Sequence, residues 1–325
     1  MPKLLKIFLL LLMLRACRKH PVPAEEDIDP LNPASDYMVI FGDIQSYTLS
    51  DYNFRWYDAS LSWVEERHRR HGNIACILET GDVTEHNQQF EWKLFADRTA
   101  KTAALVPYFA CTGNHDYDWD YQGYIRGREG TWFSDYTAFP ESRERVLSYF
   151  EEGKMDNIIV RNEVQGHRLD VMILEFGPRE EVRAWASDWL EEHPDIDFIL
   201  MTHEFLKRDG SRVSDAESYG YRLFKETTSC GPETLWAEIV KPYDNVRCVL
   251  CGHNGFSAFR TDPNDAGREV PQILFNLQSL DNGGDGLIQL WEFPAEGDRA
   301  HITVFDTIHG RKYAGDNTEF EFTYR

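Results

Sequence analysis

The sequence predicts a layered α/β domain. Short apolar runs alternate with segments of helical periodicity. Several of those runs end alike, in Gly, Asp, Asn or His. A length of 325 residues, with 42% apolar and 14% aromatic side chains, is enough for one large core.

Residues 38–41 (Met-Val-Ile-Phe) are a short strand running into Gly42-Asp43. Helical spacing over 57–70 places Leu61 and Val64 on one face. Residues 74–78 form a second strand, ending at Gly81-Asp82. A helix over 88–103 carries Phe90, Leu94 and Phe95. The run 106–110 leads to Gly113-Asn114-His115-Asp116. Residues 117–156, rich in Tyr, Trp, Gly and Arg, read as a loop excursion that roofs the site. The runs 158–160 and 169–174 flank Gln165-Gly166, as in a hairpin. Pro178 opens a helix with Val182, Trp185, Trp189 and Leu190 facing the core. The strand 198–201 ends at Thr202-His203, and a helix over 232–239 precedes the strand 246–250, which ends at Gly252-His253. The tail, 272–293 and 302–324, reads as several antiparallel strands. The site therefore lies along the C-terminal strand edges.

Composition narrows the function. Lys and Arg total 34 against 55 Asp and Glu, a net charge of -21. That field repels a phosphate backbone, so no nucleic acid polymer is expected as a partner. It leaves room for a small phosphate ester, because bound cations can reverse the local charge. Neither a Gly-x-Ser-x-Gly elbow nor a Cys in an electropositive turn is present, which sets aside Ser and Cys hydrolases.

The first 16 residues are expected to be a lipoprotein-type signal. Lys3 and Lys6 precede an eight-residue apolar run, 7–14, that is too short to cross a bilayer. Leu14-Arg15-Ala16-Cys17 resembles a bacterial lipoprotein cleavage site, with Cys17 lipidated; an ordinary secretory signal cut nearby is the competing reading. Either places the protein outside the cytoplasm, and the first makes it a membrane-anchored protein facing the periplasm or cell surface. Residues 17–36, with Pro21, Pro23, Pro30 and Pro33, read as an extended tether, and 37–325 as the folded domain. Cys76, Cys111, Cys230, Cys248 and Cys251 form no disulfide framework. Positions three apart on a strand face opposite sides, so Cys248 and Cys251 read as buried thiols rather than a zinc or redox pair.

Five strand ends in chain order supply Asp43-Ile44-Gln45, Gly81-Asp82, Gly113-Asn114-His115-Asp116, His203 and Gly252-His253. This series resembles the calcineurin-like metallophosphoesterases, whose fold is a four-layer αββα sandwich holding two divalent metal ions. A narrower resemblance, to a bacterial branch of that family, rests on Asp-x-Gln, "LEFGPREEVRAWASDWLEEHP", "VLCGHNG" and "GGDGLIQLWEF".

The resemblance implies roles. Asp82 bridges the metals. Asn114, His203 and His253 complete the second position, and Asp43 and Gln45 belong to the first. A metal-bridging hydroxide attacks phosphorus in line, His115 protonates the leaving oxygen, and Asp116 holds its ring. Two departures fall on the first position. Gln45 replaces the usual histidine, and Gly255 stands where Gly-His-x-His has its second histidine. The first metal is therefore expected to be the weaker, bound by oxygen donors suited to Mn, Mg, Ca or Fe rather than tight Zn.

Tyr117 is expected to line the pocket and Arg260 to hold a phosphate oxygen, with a surface ion pair as the alternative for Arg260. His86, His301 and His309 read as structural or exposed, and residues 283–286 (Gly-Gly-Asp-Gly) as a turn. Two functions follow: hydrolysis of a small phosphoric ester, or a catalytically weakened metal- or phosphoester-binding protein of the same fold. The ester cleaved and the oligomeric state stay open.

Overall fold

In the computed structural model, residues 29–225, 228–276 and 278–325 are described. The expected signal and most of the tether lie outside them. The last residues of the expected tether do not extend into solvent. Leu31 is buried, and the Asn73 amide donates to the Asn32 and Ser35 carbonyls at 3.1 and 2.7 Å. The compact unit accordingly begins at Leu31 and runs to Arg325.

In chain order the strands are β1 (Asp36–Phe41), β2 (Ile74–Glu79), β3 (Tyr108–Ala110), β4 (Val146–Tyr149), β5 (Ile158–Val160), β6 (Glu163–Val164), β7 (His167–Ile173), β8 (Asp197–Met201), β9 (Val246–Cys251), β10 (Phe256–Pro263), β11 (Glu269–Asn276), β12 (Leu287–Phe293), β13 (Arg299–Asp306), β14 (Arg311–Lys312) and β15 (Glu319–Thr323). They form two mixed sheets. One is ordered β14-β13-β12-β1-β2-β3, with β15 also on β13; the other is β10-β11-β9-β8-β7-β5-β4, with β6 also on β7. The three long helices are α1 (Asp51–His71), α2 (Gln89–Ala103) and α3 (Glu180–Glu192).

Side-chain alternation assigns the layers. Ile199 and Met201 of β8 join a core shared by both sheets and by Phe54, Tyr57, Leu61, Trp92 and Phe95 of α1 and α2. Their neighbours Phe198 and Leu200 join a second core with Val182, Ala186 and Leu190 of α3 and with Trp236 and Ile239. Helices thus cover the outer face of each sheet, giving the αββα sandwich. Cys248 and Cys251 fall in different cores, and the five described cysteines are buried free thiols.

Several elements differ from expectation. Helix α1 starts at Asp51 rather than 57, because Ser50 Oγ caps it by accepting from Asn53 N at 3.2 Å. The excursion 117–156 is not all loop: β4 pairs with β5 as the edge of the second sheet. Trp185 and Trp189 of α3 pack at the core's rim rather than inside it. The tail is not wholly antiparallel, since β11 runs parallel to β9. Strand β10 was hidden by its polar residues. The hairpin around Gln165-Gly166 forms as expected, with φ of 50° and 69°, and the Gly-Gly-Asp-Gly segment is a turn of positive φ.

Candidate metal centre

Strands β1, β2 and β3 run parallel, as do β7, β8, β9 and β11. Their C-terminal ends therefore reach one edge of the sandwich, and each delivers its polar residue just beyond the last ladder bond. Asp43, Asp82 and His253 occupy the left-handed region, with φ of 45°, 53° and 64°. That conformation costs a non-glycine residue roughly 1–3 kcal/mol and marks sites where the surroundings hold the backbone. Close approach explains two glycines. A Cβ on Gly113 would stand 2.1 Å from Asp82 Oδ1, and one on Gly252 would stand 2.3 Å from Asp43 Oδ1.

His203, fully buried, is the hub. Its Nδ1 lies 2.7 Å from the Thr80 carbonyl oxygen, so that nitrogen carries the proton and Nε2 faces the other donors. Around Nε2 stand Asp82 Oδ2 at 3.2 Å, Asn114 Oδ1 at 3.3 Å and His253 Nδ1 at 3.2 Å. Spacings of about 3 Å are those of donors that share one ion at about 2.1 Å. Asp82, His203 and His253 form a group able to hold a metal ion, and the donor set fits one.

The electrostatics are those of a site built around positive charge. Burial opposes the His203 charge, but Asp82 and Asp43 outweigh it and push its pKa up to about 10. His253 moves the other way, down to about 4, through burial and the His203 charge. Burial raises Asp43 to about 8, and Asp82 adds to it. Burial also opposes the Asp82 charge, but His203 overcomes it and holds the carboxyl below the usual carboxylate range.

Asp43 and Gln45 adjoin this group. Gln45 Nε2 is 3.3 Å from Asp82 Oδ2. Asp43 accepts from the His253 backbone N–H at 3.1 Å. Gln45 is only 3% exposed, and its Oε1 has no hydrogen-bond partner among the described residues. An orphaned buried acceptor among carboxylates is a second mark of a cation site.

Three expected roles are corrected. Asp116 does not hold the His115 ring. Its carboxylate accepts from the backbone N–H of Val83, Thr84 and Gly113 at 3.2, 2.9 and 2.9 Å, and from Thr84 Oγ1 at 3.0 Å, so it ties two strand-end loops together. Tyr117 does not line a pocket; it is buried against Phe176 and Phe224, with its hydroxyl donating to Thr112 Oγ1. Arg260 is a surface ion pair, donating from Nε and Nη2 to the two Asp262 carboxylate oxygens at 2.6 and 2.7 Å along β10. His86, His301 and His309 pair with Glu91, Glu321 and Asp306.

Sequence reasoning missed other residues. Glu85 orients His115: its carbonyl oxygen is 2.8 Å from His115 Nδ1. Asn276 Nδ2 donates to Asp43 Oδ2 and, at 3.0 Å, to the His253 carbonyl. Tyr219 packs its ring edge-on to His253 at 5.0 Å. Asn276 did carry a signal, a polar residue ending the apolar run 273–275.

Two mixed sheets between helices carry imidazole, amide and carboxylate donors at one strand edge, as a metal-binding α/β sandwich would. A family model, calcineurin-like phosphoesterase, matches residues 37–255. The chain belongs to the calcineurin-like phosphoesterase family. It is 28% identical over 291 residues to the uncharacterized protein YvnB of Bacillus subtilis (strain 168), covering 85% of this chain and 20% of that relative. The chain thus spans about a fifth of that relative's length. A purple acid phosphatase from yellow lupin (Lupinus luteus) seeds shares the fold, with a TM-score of 0.50 at 14% identity over 89% of this chain and 54% of that one. A 5'-nucleotidase precursor from Thermus thermophilus overlays with a TM-score of 0.44 at 14% identity, over the same shares of 89% and 54%.

Proposed function

We propose that this chain is a metal-dependent phosphoric ester hydrolase with two adjoining metal positions. The observation that carries the reading is the gathering of Asp82, Asn114 and His253 donor atoms around His203 Nε2, with Gln45 at the same Asp82 oxygen and Asp43 held by the His253 backbone N–H. Bound divalent ions supply charge neutralisation on phosphoryl oxygens and make water a nucleophile near neutral pH.

The chain's own residues do the rest. Asp82 presents Oδ2 to both positions, while its Oδ1 accepts the His115 backbone N–H at 2.8 Å and fixes that residue beside the site. His115, with Nδ1 held by Glu85, offers Nε2 to protonate a departing alkoxide. A cavity of about 530 Å³ opens at His115, lined also by Glu85, His86, Gln88, Asp118, Trp119 and Arg126. Trp119 is locked there by its indole N–H, 3.0 Å from the Asn114 carbonyl oxygen. The leaving group is assigned to that cavity. A cavity of about 570 Å³ opens beside Asp36 and Ile74, at the opposite strand ends, and holds none of these groups.

The test is hydrolysis of phosphate monoesters and diesters with Mn, Mg, Zn, Ca or Fe, run beside Asp82→Ala. Metal-dependent turnover that Asp82→Ala abolishes supports the proposal. A metal-loaded chain inert toward every ester favours the binding protein instead. We further propose that Cys17 is lipidated and anchors the domain on the outer side of the cytoplasmic membrane. Labelled fatty acid that enters the wild type and not Cys17→Ser supports the anchor; equal labelling removes it.

A further inference from the structure

The space beside Gly255 is filled. A Cβ built there would stand 2.8 Å from Ser279 Oγ. The segment that fills it leaves the end of β11, which runs parallel to β9 and so arrives at the same edge as His253. Asn276 turns this segment inward. Its side chain donates to Asp43 Oδ2 and the His253 carbonyl, and its Oδ1 accepts from Gln278 N at 3.0 Å. The turn brings the Gln278 carboxamide to Asp43, with Nε2 3.4 Å from Oδ2. Gln45 stands at the partner carboxylate, Asp82, with its own amide oxygen unsatisfied.

We propose that Gln278 is a ligand of the first metal position. The position then comprises Asp43, Asp82, Gln45 and Gln278, all oxygen donors. Without an ion, the Gln278 amide offers its N–H to Asp43 Oδ2. Amide oxygen and nitrogen exchange places by a half-turn of the terminal torsion at little steric cost, and a cation bound at Asp43 reverses the preference. A residue from a sixth strand end thereby supplies the donor that position 255 cannot. Two carboxamides and two carboxylates make a hard site that suits Mn, Mg or Ca over Zn, beside a second position that keeps its imidazoles.

This assignment rests on the two-metal reading above, but its test reads ion uptake rather than turnover. Mn(II) is titrated into the metal-stripped full chain by calorimetry, with folding checked by circular dichroism. The wild type takes up two ions, one tightly and one weakly. Gln278→Ala loosens the weak class by about tenfold or more and spares the tight one. Gln278→Glu, which adds charge to an oxygen donor, tightens the weak class. Wild-type uptake of a single ion, an unchanged weak class in Gln278→Ala, or equal loosening of both classes overturns the assignment. If Gln278→Ala is unfolded, Gln278→Glu decides: tightening supports a ligand, and loosening or no change overturns one. A chain that binds both ions yet cleaves no ester keeps this assignment and loses the proposed activity. A chain that cleaves esters, with Mn(II) binding indifferent to Gln278→Ala, does the reverse.

Discussion

His115 Nδ1 faces the Glu85 carbonyl oxygen at 2.8 Å, and a carbonyl can only accept, so this nitrogen holds a proton in every ionisation state. Nε2 is left as the atom that exchanges one. Burial works against the charged ring, but Asp82, followed by the Glu85 carbonyl and carboxylate, raises its pKa above the ordinary histidine value. The ring therefore stays protonated further toward neutrality, as a leaving-group acid requires.

His115→Ala is expected to slow hydrolysis of alkyl phosphate esters by roughly 10²–10³ in kcat. Nitrophenyl esters, whose leaving group departs without a proton, should lose far less. Rates for the two classes check this; equal losses would remove the acid role.

Asp116 should behave as a structural residue. Asp116→Ala leaves the N–H groups of Val83, Thr84 and Gly113 without their acceptor. The cost is about 3 kcal/mol or more, at roughly 1–3 kcal/mol for each orphaned buried donor. Urea unfolding measures it. The pH–rate profile of the folded fraction should keep its shape, and a shifted acid limb would show that Asp116 tunes His115 after all.

Metal uptake should release protons. Asp82 and Asp43 raise the His203 pKa and burial raises that of Asp43, so protons held there must leave before these atoms can bind a cation. More protons are expected to be released at pH 7 than near pH 9, with apparent affinity rising as pH rises. Calorimetry in buffers of different ionisation heat counts them. Proton-free uptake at pH 7 would contradict the assignment.

Gly113→Ala is expected to abolish metal binding at the His203 side. Its Cβ would fall 2.1 Å from Asp82 Oδ1 and 2.2 Å from the Asp82 backbone nitrogen, and the backbone atom cannot swing away. Elemental analysis after dialysis checks this, with circular dichroism showing that the variant keeps its fold.

The sandwich and the positions of Asp43, Asp82, Asn114, His203 and His253 were legible because each follows an apolar run. Strand followed by ligand is a pattern local in sequence. The resemblance placed Asp116 on the His115 ring and the sequence placed Tyr117 in the pocket, but the 3-10 turn Asn114–Asp116 sends consecutive side chains in different directions. Gln278 and Glu85 were illegible for a different reason, and the Asn276 signal did not show where that residue would reach. Glu85 acts through a main-chain carbonyl, which no side-chain pattern encodes. Asn276 and Gln278 reach Asp43 from a strand whose parallel pairing to β9 cannot be read from its own sequence.

The pairing of β1 carries a further consequence, for the order of folding. Its parallel neighbour β2 comes next in the chain, but its other edge is closed by β12, with Met38 opposite Trp291. A polypeptide that emerges from its N-terminus exposes that edge until residues 287–293 have been released, and an open edge is a template for mispairing. Such a long-range closure is slow. The loop bearing Asp43 is thus secured only by the last third of the chain, and a product truncated before Leu287 would have every predicted ligand and no closed sheet to hold the first of them.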